Sequence, residues 1–187
     1  MPLLSNPQIV SKYVIGTEGE VASVALFSQV PIDQIEKVYL DYQSRTSVQL
    51  AKLLLRKYWN KEVEFLIATE GYINEISGTT AGVIIGDRAL ASLNRFEHVY
   101  DLGLAWKQYS GLPFVFAAWV ANKPIPAEFM EAFDAANGYG LKHLDEVIAL
   151  IPSTEQVYDL HKYYTENISY ELTPEKRKGL ELFLEAL

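Results

Sequence analysis

A chain of 187 residues, 49% hydrophobic and 21% charged, has apolar material for a sizeable core and the composition of an ordinary globular protein. Its formal net charge of −8 argues against broad nucleic-acid binding or attachment to anionic lipid, so a positive field for an anionic ligand must be local. With no cysteine, disulfides, thiolate nucleophiles and Cys-ligated metal centres are excluded.

The opening stretch MPLLSNPQIVSKYVIG has neither a basic leader region nor a long apolar run. Nowhere does the chain approach the ~18 apolar residues of a spanning helix. A cytoplasmic protein without membrane attachment is expected. Gly16 and Gly19 then precede VASVALFSQVP, a buried strand stopped by Pro31. The two glycines either shape a turn or let the backbone approach a ligand closely. IEKVYLDY is a second strand. From Ser47 to Trp59, apolar residues recur at helical spacing. VEFLIA and AGVIIGD are further strands, and RALASL is a short helix. Strand and helix alternate as in a partly parallel α/β sheet.

A change of character follows. YDLGLAWKQYSGLP is Gly-marked and polar, and reads either as a turn or as a hinge or cleft wall. It leads into the apolar strand Phe114 to Val120. From Ala127 to Ile151 the pattern predicts one long helix or a pair broken near Gly138 and Gly140. Ser153 and Gln156 form a capping box for a helix reaching about Asn167, and Thr173-Pro174-Glu175 starts the last helix. The charges of TPEKRKGLEL read as a solvated helix face. The block 32–104 looks like a compact α/β lobe inserted between 1–31 and 105–187, an architecture that closes around a small ligand.

The stretch VYLDYQSRTSVQLAKLLL carries the first candidate site. One hydroxyl suffices to cap a helix, yet Ser44, Thr46 and Ser47 surround Arg45. A helix N-terminus offers free N–H groups and partial positive charge, and hydroxyls plus a guanidinium strengthen it as a carboxylate site. A plain cap with a polar first turn is the competing reading. Ser23 lies in an apolar stretch where its hydroxyl needs a partner, and either faces a cleft or bonds a carbonyl. Gly86 and Asp87 end a buried strand, the edge at which α/β sheets bind ligands, although Asp87 reads first as the cap of the next helix. His98, His143 and His161 are isolated, so no metal is expected. No P-loop, dinucleotide fingerprint or nucleophile elbow occurs.

Taken in order, EVASVALFSQVP, LDYQSRTSVQLAKLLL, IGDRAL, YDLGLAWKQYSGLPFVFAAWVANKPIP and NISYEL closely resemble chorismate dehydratase, an enzyme of the futalosine route to menaquinone. The resemblance extends over essentially the whole chain. Its sharpest parts, SRTS and GLPFVFAAW, favour this enzyme over its sister, the 1,4-dihydroxy-6-naphthoate synthase. It implies a type II periplasmic-binding-protein-like fold, two lobes around a cleft, used as a cytoplasmic lyase without cofactor. The implied substrate is chorismate, a dicarboxylate, dehydrated to 3-[(1-carboxyvinyl)oxy]benzoate. A carboxylate of the substrate itself is implied as the proton acceptor.

By motif, the resemblance implies that Ser23 is the catalytic serine beside the substrate. It implies substrate binding by Ser44, Arg45, Thr46 and Ser47, by Gly86 and Asp87, by Asp101 and Gly103, and by Gly111, Leu112 and Pro113. The family's leading βαβ portion, with a Y-L-N-T-x-P-like motif and a D-I-G-L-V-P-V-like strand, has no counterpart here. The first lobe is therefore expected to be incomplete at its N-terminus, the isolated chain to be impaired, and an exposed sheet edge to favour self-association as a homodimer. A non-catalytic carboxylate-binding module and the sister synthase are the alternative functions.

Overall fold

The computed structural model describes residues 6–152 and 157–187. The capping box expected at Ser153 and Gln156 lies outside the described residues. Alternation of side chains along the strands explains the main sheet. In β2 (Val24–Ser28), Val24 and Leu26 join one apolar cluster while Ala25 and Phe27 join another on the opposite face. Because both faces are covered, all five residues of β2 are buried. The same sheet contains β3 (Lys37–Leu40), β4 (Glu64–Ile67), β5 (Thr80–Ile85) and β6 (His98–Asp101), in the order β4-β3-β5-β2-β6.

One face is covered by α1 (Arg45–Lys57) and α3 (Leu102–Ser110). Leu50, Leu54 and Leu55 of α1 are fully buried, each contributing roughly 1.5–3 kcal/mol over an exposed position. Trp106 of α3 is buried beside Phe114 and Phe183, with ring centroids at 5.3 and 5.9 Å. The other face is covered by Tyr72 and Ile76, which sit in and beside a short 3₁₀ turn, and by Ala89 of α2 (Asp87–Ser92).

A second, antiparallel sheet has the order β7-β1-β8, formed by β1 (Gln8–Thr17), β7 (Phe114–Ala121) and β8 (Ser169–Glu171). It packs against α4 (Ala127–Lys142) and α7 (Pro174–Glu185). Between them the chain forms α5 (Leu144–Ala149), the single turn α6 (Leu160–Lys162) and a π-turn, Tyr163–Asn167.

Several expectations change. Val24–Ser28, assigned from sequence to the flank 1–31, hydrogen-bonds between β5 and β6 and so belongs to the same sheet as the block 32–104. Its apolar alternation satisfies either sheet, and only pairing decides which. Residues 101–111, read as a turn or hinge, contain the nine-residue helix α3, capped by Asp101 and closed by Gly111. The break after Ala127 falls at His143, not at the glycines. Gly138 instead lies in α4 where a Cβ would meet the Tyr13 hydroxyl at 2.7 Å. Lys176, read as part of a solvated face, is 1% exposed and pairs with Glu18 at 2.7 Å. Its ammonium also donates to Ser169 Oγ and to the Glu171 carbonyl.

Candidate functional site

Strand direction gathers most of the expected residues. Strands β3, β4 and β5 run parallel, and β2 is antiparallel to both β5 and β6. The carboxyl ends of β3, β4, β5 and β6 therefore share one sheet edge with the start of β2. Ser23 precedes β2, Ser44–Ser47 follows β3, Gly86 and Asp87 follow β5, and Asp101 ends β6. Open α/β sheets bind ligands outside this edge.

Ser23 is held through its backbone. Its N–H donates to the Val21 carbonyl at 2.7 Å, and its own carbonyl accepts from Gly86 N–H at 2.7 Å. Ala22 adopts φ +59°, the left-handed conformation that turns the chain into the strand. The Ser23 side chain is almost fully buried and accepts a hydrogen bond from the Tyr163 hydroxyl at 2.9 Å.

Asp101 fixes the loop in front of Ser23. Its carboxylate accepts from Ala22 N–H at 2.7 Å and from Val21 N–H at 3.0 Å. It also caps α3 through Leu104 N–H at 2.9 Å. Burial pushes its carboxyl up to about 6, against the opposing effect of those three donors. Gly103 serves the same junction: a Cβ there would lie 2.6 Å from the Gly19 carbonyl oxygen and 2.7 Å from Thr17 Cγ2. Only a glycine admits this approach.

At the start of α1, Ser44 is the N-cap. Its Oγ accepts from Ser47 N–H at 3.1 Å and donates to Ser47 Oγ at 2.9 Å. Two of the three hydroxyls thus serve the cap, and the helix begins at Arg45 rather than Ser47. Arg45 is exposed. Thr46 lines a hollow of about 350 Å³ against Phe116, Ala117 and Phe183. Gly86, at φ +63° and ψ −146°, occupies the N-cap of α2, and Asp87 is its first residue. The sequence reading of Asp87 as the cap is corrected by one position, because the bend before α2 needs a backbone conformation suited to glycine. Asp87 is exposed, and its charge acts on the phenol of Tyr163.

Gly111, Leu112 and Pro113 serve a different junction. Gly111, at φ +75°, ends α3, and Leu112 N–H donates to Ser110 Oγ. The Pro113 carbonyl accepts from Trp106 Nε1 at 3.2 Å and is passed closely by Gly179 of α7. Among the described residues, no hydrogen bond joins these three to Ser23 or to the first turn of α1.

Several residues at this edge were not singled out from the sequence. Asp41, directly after β3, has a side chain that is 0% exposed and receives Arg88 Nη2 at 2.7 Å. It also accepts from the Tyr72 hydroxyl at 2.8 Å and from Gln43 N–H at 2.7 Å. Arg88 further donates to Gln43 Oε1 and lies over the Tyr42 ring. Burial, followed by Asp41, holds the Tyr72 ionisation far above its ordinary range, so the phenol remains a donor. This network ties the turn before α1 to α2. Tyr163 is another. A charged residue directly after a buried strand was the available signal for Asp41; nothing local marks Tyr163.

A separate hollow of about 740 Å³ lies over β1 and β7, lined by Tyr13, Ile15, Trp119, Phe133 and Tyr170 among others. None of these is a residue expected at the site. No helix among the described residues is long and apolar enough to cross a membrane.

Mixed α/β folds are shared by many small-molecule binding proteins and enzymes, and the comparisons narrow the class. The chain belongs to the menaquinone biosynthesis family, whose model matches residues 3–187. It is 32% identical to the chorismate dehydratase of Thermus thermophilus over 203 aligned residues, covering 94% of this chain and 71% of that protein. The crystal structure of protein AF1704 from Archaeoglobus fulgidus matches it with a TM-score of 0.58 at 13% identity, covering 96% of this chain and 71% of the other. At that identity the likeness concerns the fold.

Proposed function

We propose that this protein is a chorismate dehydratase, a carbon–oxygen lyase that forms 3-[(1-carboxyvinyl)oxy]benzoate and water. The observation that carries the reading is the meeting of Ser23, Ser44–Ser47, Gly86, Asp87 and Asp101 at one sheet edge, in a chain 32% identical to a curated chorismate dehydratase. In this reading the protein has two lobes. The five-stranded sheet with α1, α2 and α3 forms one, the three-stranded sheet with α4 and α7 the other, and the boundary lies before β2.

The substrate carries two carboxylates. One is received at the start of α1, where N–H groups, the helix dipole and Arg45 supply local positive character in a chain of net charge −8. The Ser23 hydroxyl orients the ring. A proton leaves C3 and hydroxide leaves C4, a carboxylate of the substrate accepting the proton. The ring becomes aromatic, which drives the reaction, so the protein's task is positioning.

The test is incubation of the purified chain with chorismate. Loss of the diene absorbance with growth of the benzoate product is expected. Ser23→Ala is expected to lower kcat/KM by about a hundredfold or more with unchanged circular dichroism. Tight chorismate binding without turnover would replace the lyase by a binding module; neither binding nor turnover would overturn the reading.

A further inference from the structure

We propose that Tyr163 is a positioning residue for Ser23, its phenol holding the serine side chain in the rotamer whose own proton is free to donate to the substrate. The inference rests on the reading of Ser23 as the serine that faces the substrate.

The backbone of Ser23 has no remaining freedom. Its N–H and carbonyl are both committed, to Val21 and to Gly86, and the residue before it is turned through a left-handed conformation. What is left is the side-chain torsion, with three staggered wells. The Tyr163 hydroxyl donates to Ser23 Oγ at 2.9 Å, and among the described residues this is the only hydrogen bond of that oxygen. Because the serine accepts here, its single proton is not used. Without the phenol, a buried serine hydroxyl would turn to donate to a neighbouring carbonyl, and that proton would be lost to the ligand.

Tyr163 is itself well anchored. Its N–H donates to the Asp159 carbonyl at 2.9 Å, and its carbonyl accepts from Ile168 N–H at 3.0 Å. Its ring meets Tyr164 at 5.2 Å and stands perpendicular to Tyr158 at 6.3 Å. Burial pushes the ionisation of its phenol upward against the opposing effect of its bond to Ser23, so the phenol keeps its proton. It opens the π-turn Tyr163–Asn167, a local geometry frequent at functional sites, and reaches the sheet edge from 140 residues away in the sequence.

A simple structural tether would give the same bond, so the test separates the two. Wild type, Ser23→Ala, Tyr163→Phe and the double variant are assayed with chorismate, alongside urea denaturation. Tyr163→Phe is expected to lower kcat about 10-fold with KM changed less than twofold and a nearly unaltered denaturation midpoint. The double variant should be no slower than Ser23→Ala alone. Full activity of Tyr163→Phe, or losses that multiply in the double variant, would overturn the inference while leaving the lyase reading intact. If the wild type proves inactive, ring-¹³C tyrosine NMR gives a separate answer, with the Tyr163 signal assigned by its absence from Tyr163→Phe. That signal should move on Ser23→Ala, and an unmoved one overturns the pairing.

Discussion

Arg88→Ala gives a direct measure of the network beneath the α1 turn. The Asp41 side chain is 0% exposed and Arg88 is 29% exposed, with Nη2 2.7 Å from Oδ2. Removing one partner of a fully buried pair costs roughly 3–5 kcal/mol, because the other charge is left without compensation. Two facts reduce that figure. Asp41 keeps Tyr72 and Gln43 N–H as donors, and the guanidinium lies close enough to solvent for water to replace part of it. We expect a loss of about 2–3 kcal/mol, read by urea denaturation as a lower midpoint with unchanged slope. Arg88→Lys should recover less than half, since the shorter lysine does not bring its nitrogen to the position of Nη2, the one atom that donates to both Asp41 and Gln43. Combined with Asp41→Asn, the two losses should be strongly less than additive. A loss below about 0.5 kcal/mol, or simple additivity, would refute the assignment of this pair as the tie between the β3 end and α2.

Two further expectations concern the Asp101 junction. Gly103→Ala would drive a methyl group into the Gly19 carbonyl and the Thr17 side chain, and should lower stability by about 1–3 kcal/mol on thermal melting; a neutral effect would show that the contact yields. For Asp101 the carboxyl is pushed from 3.8 to about 6, so the native state holds a proton that the unfolded chain releases. Its contribution to stability is full below about pH 4 and is lost as pH rises through about 6. The stability of wild type relative to Asp101→Asn should therefore fall between pH 4 and 6.5, and a difference that stays constant or grows would contradict this.

Much of the fold could be read locally. The cap at Ser44, the Thr173-Pro174 start of α7 and the apolar runs of β2, β3, β4, β5 and β7 all depend on residues within a few positions of one another. So does the hydroxyl-rich turn before α1, in which Ser44 and Ser47 bond each other. The polar stretch after Tyr100 was harder. Its glycines suggested a turn, yet Gly111 terminates a helix and Gly103 admits a close backbone approach. A glycine has the same local signature in all three roles, and only its neighbours in space distinguish them.

The candidate site divides in the same way. Residue types and their order along the chain determined that strands would alternate with helices, and which strand ends would carry hydroxyls, glycines and carboxylates. Tertiary structure alone decided that β2 pairs with β5 and β6, that Arg88 closes on Asp41, and that Tyr163 reaches Ser23. The physical reason is separation: capping and amphipathic periodicity act over three or four residues, whereas a hydrogen bond between positions 23 and 163 exists only once the intervening chain has packed.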